Sequence, residues 1–277
     1  MNAQQQQNNP LANYTRSLLD PFSNLVPQPK IYDGKVLRSA GLRFRTTGEM
    51  TLYGTTYLVL APALTAPLTW YGNTDTGIHS VWIPDDGLEH VRTPFQRSII
   101  DKIRTVGVGL KLNLMNSADQ NEGYWEAARF STSVENFELV FDNTARTRHI
   151  DLKVGSEIEL SNEPTYQRGK LRDIHKFMFR LNSNNTEHNL GKLSSEETAT
   201  TLNQVIDEDW DFIIIKIHGR VDLSSPSALN YEVVNNQEVV YKQGTSIARL
   251  MSPSPFIPQT SQIMGKIKIA MPGLQIE

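Results

Sequence analysis

The 277-residue chain contains no cysteine. Disulfide staples, thiolate metal sites and thiol nucleophiles are therefore excluded. Long apolar runs are missing too, and no stretch approaches the roughly 18–20 residues that cross a bilayer as a helix. The opening MNAQQQQNNPLANYTR has neither the basic start nor the apolar core of a signal peptide. These absences lead us to expect a soluble protein. Positive charge is scarce: 27 Lys and Arg stand against 30 Asp and Glu, for a net charge of −3. The first 35 residues carry only Arg16, Lys30 and Lys35 against Asp20 and Asp33. A basic arm that would hold a polyanion by counterion release is therefore lacking.

Patterns that carry chemistry are also absent. His79, His90, His149, His175, His188 and His218 are dispersed, with no HxH or HExxH spacing. No GxSxG, P-loop or GxGxxG occurs, and Gly107-Val108-Gly109 lies in a strand-like run without the helix a phosphate cradle needs. Asp85-Asp86 precedes Gly87, where turn chemistry accounts for both acids. Nothing here points to an enzyme.

What is present is alternation. In Arg104–Phe130, Val106, Val108, Leu110, Leu112 and Leu114 occupy every second position, the pattern of a strand half-buried in a sandwich. A polar loop and a second strand beginning at Tyr124-Trp125-Glu126 follow. Further strand-like runs are Leu42–Thr46, Met50–Ala61, Gly77–Ile83, Phe137–Phe141, His149–Leu152, Phe177–Leu181, Asp211–His218, Tyr231–Val234 and Val239–Tyr241. Strands spaced by turns, without βαβ alternation, imply a sandwich or barrel. The expected fold is all-β: a single antiparallel jelly roll of about eight strands. We place a Gln/Asn/Pro-rich arm over 1–38, interior or flexible, whose segment from Leu18 onward is too rich in Pro and Gly for regular structure. The jelly-roll domain runs over 39–252, and a tail over 253–277 has a possible extra strand at Gln262–Ala270.

Several phrases resemble, in order, the single-jelly-roll capsid proteins of small icosahedral viruses. The resemblance is to circular single-stranded-DNA virus capsids and nodavirus-like shell proteins. They are the LDPF…P-x-I-x-DG segment before the first strand, the Glu122–Arg129 strand, RDIHK…FRL around 172–181, and the strand from Asp211 through Ile213, Ile215 and Ile217 to Gly219. The resemblance implies a virion subunit made in the host cytoplasm or nucleus. It would self-assemble, in about 60 copies for a chain of this length, around a single-stranded genome. DNA is the first choice of genome and RNA the second, and the host receptor is left unknown. The rival reading is a lectin-like jelly-roll carbohydrate-binding module.

The candidate residues follow from charge and ring placement. Tyr166–Leu181 is the basic segment: Arg168, Lys170 and Arg172 with interleaved aromatics suit single-stranded nucleic acid. Read as a helix, Leu171, Ile174, Met178 and Leu181 would form an apolar stripe, leaving an amphipathic shell helix as the alternative. Arg38, Arg43 and Arg45, where the arm meets the first strand, are further phosphate candidates. Trp70-Tyr71, after a Pro-rich loop, reads as an exposed tip for a receptor or glycan. Asp207, Asp209 and Asp211 are weak calcium candidates, an ion that subunits would share, or else solvated loop acids.

Overall fold

The computed structural model describes residues 10–25, 30, 38–52, 54–60, 68–72, 79–81, 100–116, 123–130, 137–142, 147–152, 159–178, 191–192, 212–220, 226–253, 258–259, 262–263, 266 and 275–276. A helix, α1 (Pro10–Leu19), precedes the strands β1 (Arg38–Leu52), β2 (Thr55–Leu60), β3 (Leu68–Gly72), β4 (His79–Val81) and β5 (Ile100–Leu114). Next come β6 (Tyr124–Phe130), β7 (Phe137–Asp142), β8 (Thr147–Leu152), β9 (Gln167–Lys170), β10 (Lys176–Met178) and β11 (Gly191–Lys192). The chain continues with β12 (Phe212–His218), β13 (Ser227–Tyr241), a short helix α2 (Ser246–Leu250), β14 (Ser252–Pro253) and β15 (Gln275–Ile276).

One sheet runs β14-β1-β13-β5-β10-β15, with β11 also on β5, and the other runs β4-β3-β2-β12-β6-β9. β7 and β8 form a separate hairpin. Inside the two sheets, the orders β1-β13-β5-β10 and β2-β12-β6-β9 interleave early and late strands as two Greek keys do. This is the expected antiparallel jelly roll.

The core lies between the sheets. β5 contributes Val108, Leu110 and Leu112, as its alternation requires, and β12 contributes Ile213, Ile215 and Ile217. Trp125 of β6 meets Phe177 of β10 edge-on at 5.5 Å, joining one sheet to the other. Each such side chain taken from water contributes about 1.5–3 kcal/mol.

Several expected elements change. Met50–Ala61 is not one strand: it divides at Gly54, whose φ of 64° turns β1 into β2. Tyr231–Val234 and Val239–Tyr241 are a single strand, because Asn235, Asn236, Gln237 and Glu238 between them are buried within β13. Over 166–178, the described part of Tyr166–Leu181, the long helix does not form. The first part of the segment pairs as β9 with β6, and the exposed edge of β6 overrides helical spacing by satisfying backbone groups. Leu171–Asp173 make one 3₁₀ turn that buries Leu171, and β10 follows. In the tail, Gln262, Ile263 and Lys266 are helical, whereas Gln275–Ile276 pairs with β10 of its own chain. Ahead of its Pro- and Gly-rich segment the arm holds α1.

Candidate functional site

The sandwich has two outer faces, and the sequence-derived cations divide between them. On β1 the even positions Met50 and Leu52 enter the core, so the odd positions Arg43 and Arg45 face outward. Arg43 Nε donates to Asn236 Oδ1 at 2.9 Å, and Asn236 Nδ2 donates to the Pro21 carbonyl at 2.9 Å. Arg45 Nε lies 2.7 Å from Glu232 Oε1, and Lys111 Nζ lies 3.7 Å from Glu232 Oε2. Burial draws the Arg43 proton affinity down, with Asp20 opposing that shift and Arg45 adding to it.

The arm crosses this face. The Asp20 carboxylate accepts from the Phe22 amide at 3.1 Å, a turn that aims the Phe22 ring at Gly109. Lys111 Nζ is 4.2 Å from the ring centre, Lys176 Nζ is 5.7 Å from it, and Lys176 also pairs with Asp20 at 3.7 Å. A side chain at Gly109 would overlap Phe22 and Pro21. Further along, the buried Lys30 ammonium donates to the Ser39 carbonyl at 2.6 Å and to the Ser252 carbonyl at 3.2 Å. It thereby ties the arm to β1 and β14. Burial pulls the Lys30 pKa below its usual value, partly countered by Glu238, which itself accepts from Ser39 Oγ at 2.5 Å. Arg43 and Arg45 thus belong to the surface that seats the arm. Arg38 stands apart at the exposed start of β1.

The opposite face carries the other cluster. Lys216 and His218 of β12 point outward, in register with Glu126 and Tyr124 of β6. Glu126 and Tyr124 are in turn opposite Arg168 and Lys170 of β9. The His218 ring stacks on Tyr124 at 4.0 Å and 16°, and the Arg168 guanidinium lies 4.4 Å from the Tyr124 centre. Glu126 Oε2 meets His218 Nε2 at 3.0 Å, and Oε1 accepts from Tyr166 Oη at 2.8 Å. Burial alone would raise the Glu126 pKa, but these bonds and the Lys216 charge outweigh it and hold the carboxyl below its usual value. Arg168 and Lys170 are exposed, while Arg172, on the turn after β9, lies 3.6 Å from the equally exposed Asp173.

Sequence reasoning found Arg168, Lys170 and Arg172 but missed Glu126, Tyr124 and His218. The alternations Tyr124-x-Glu126 and Lys216-x-His218 were readable, whereas the register that joins them was not. Trp70 is not a loop tip: it pairs within β3, packs against the core, and lies 5.8 Å from Tyr231. The lectin-like reading loses Trp70, one of the two aromatics, with Tyr71, on which it rested. Tyr71 shares that strand. Asp207, Asp209 and Asp211 lie outside the described residues. No cluster of three His, Asp or Glu that could hold a metal occurs among the described residues.

The sheet order defines the class, an antiparallel jelly-roll sandwich. The solved structure of infectious bursal disease virus Gt strain shares this fold, with a TM-score of 0.52 at 10% identity over 93% of this chain and 92% of that one. The sequence narrows the class further. The Shotokuvirus capsid protein family model matches residues 10–201 and 191–271, so the chain belongs to that family of capsid proteins of small single-stranded-DNA viruses. It is 26% identical to the capsid protein of Chaetoceros diatodnavirus 1, over 84% of this chain and 74% of that relative. It is 24% identical to the capsid protein of Avon-Heathcote Estuary associated kieseladnavirus, over 84% of this chain and 79% of that one.

Proposed function

We propose that about 60 copies of this capsid protein close into a T=1 icosahedral shell around a single-stranded genome, DNA before RNA. The observation that carries this reading is the single jelly roll, whose core is completed between the two sheets of one chain. Copies are thereby left to meet through loops, sheet edges and outer faces. Individually weak contacts suffice, because each subunit is held by several neighbours at once. The subunit would be made in the host cell and end in the virion. Calcium bridging subunits through Asp207, Asp209 and Asp211 belongs to the same proposal, as does receptor contact near Tyr71.

Negative-stain electron microscopy of the chain after gel filtration tests the proposal. Uniform closed particles of about 1.9 MDa, sixty times the 31.3 kDa chain, are expected. A monomer-to-trimer species at every salt and calcium concentration would overturn it.

A further inference from the structure

The outer face of the β2-β12-β6-β9 sheet supports a binding site, on the reading of the chain as a shell that encloses a genome. Its rings and cations meet at Tyr124 of β6: His218 of β12 stacks on it from the strand to one side, and Arg168 of the edge strand β9, to the other side of β6, lies over the same ring. The one carboxylate among them, Glu126, is occupied by Tyr166 and His218 and faces Lys216 in register, so its charge is spent within the face. Arg168 and Lys170 are exposed and form no ion pair among the described residues. They lie two positions apart on one strand, hence about 6.6 Å from each other along its side. Arg172 follows on the adjoining turn. Arg43 and Arg45, by contrast, are engaged by Asn236 and Glu232.

We infer that this face binds single-stranded nucleic acid, with a base stacked on Arg168 and a phosphate paired to Lys170. The charge and the ring contact together select this ligand. An isolated cation recognises a phosphate, but a guanidinium seated 4.4 Å over a ring that is itself stacked adds a surface for any base. Such a site holds genome without sequence preference and without a basic arm.

The test is fluorescence anisotropy of a labelled thymidylate 20-mer with the full chain over a range of salt. It is read on subunits and on particles separated by gel filtration. Arg168→Ala should weaken binding on the order of tenfold. Arg168→Lys, which keeps the charge and loses the plane, should weaken it several-fold with the salt dependence kept. Lys170→Ala should flatten the salt slope by about 0.7. Arg249→Ala removes an exposed cation elsewhere, on α2, and should bind as the unmodified chain does. Parent affinity in Arg168→Ala, full rescue by Arg168→Lys, or no binding by the unmodified chain would each overturn the inference. So would an Arg168→Ala chain that binds the oligonucleotide normally but forms no particles, which would make the face a contact with a second copy. If the unmodified chain forms no particles, the shell reading fails, and the Arg168 comparison still decides the site.

Discussion

The two outer faces of this sandwich carry similar residues, cations beside aromatic rings with a carboxylate among them, yet one is closed and the other open. On the β1-β13-β5-β10 face, Gly109 and Asn236 leave room and hydrogen bonds for the chain's own Pro21 and Phe22, and Lys111 and Lys176 flank the ring. On the β2-β12-β6-β9 face, the ring cluster is assembled from the strands themselves and includes an exposed arginine. Sheet composition does not decide whether a basic face is available. What decides it is whether a nearby segment of the same chain fits, and that turns on small residues.

Four substitutions break or sharpen this contrast. Phe177→Ala removes the ring that touches Trp125 across the core, and should cost about 3–5 kcal/mol in chemical denaturation. Both faces would then lose their common support. Gly109→Val should act on the closed face alone, through overlap with Phe22 and Pro21, at about 1–3 kcal/mol. Its signature is faster tryptic cleavage at Lys30, which is buried while the arm is seated.

Glu126→Gln addresses the open face through pH. The Glu126 carboxyl is held below its ordinary value of 4.5, so the unfolded chain takes up this proton first on acidification. The stabilisation is complete above the unfolded value and is lost as pH falls through the depressed folded one. Melting profiles from about pH 6 to pH 3 should therefore fall less steeply in Glu126→Gln. The smallest effect belongs to Arg45→Ala. Its ion pair with Glu232 is half-exposed on the arginine side, and its loss should cost under about 1 kcal/mol in the same denaturation assay.

The core strands were readable because burial on one side imposes alternation, as in Val106–Leu114, or a β-branched run, as in Ile213–Ile217. Arrangements that depend on partners distant in sequence were not readable. Asn235, Asn236, Gln237 and Glu238 look like a loop until the arm is seen to cover one side of β13. Tyr166–Leu181 carries helical spacing, and only the vacant edge of β6 makes its first half a strand. For the site, the three cations of β9 and its turn were legible as a basic cluster. The Glu126–His218 pair came from strands 92 residues apart, and no local pattern announces it. Arg43 and Arg45 were read for their charge, with no sign in the sequence that the arm folds back over them.

The longest strand pairing has a consequence for biosynthesis. β1 is closed by β13, with Ser39 and Glu238 meeting from 199 positions apart in the sequence. At a translation rate of about 5–20 residues per second, the emerging first strand waits roughly 10–40 s for its neighbour. During that interval its backbone edge is open, and a chaperone or rapid completion must guard it against pairing with another nascent chain. The same arrangement acts as a completeness check. A prematurely terminated chain lacks β13, cannot close the first sheet, and never presents the surface on which a virion is built.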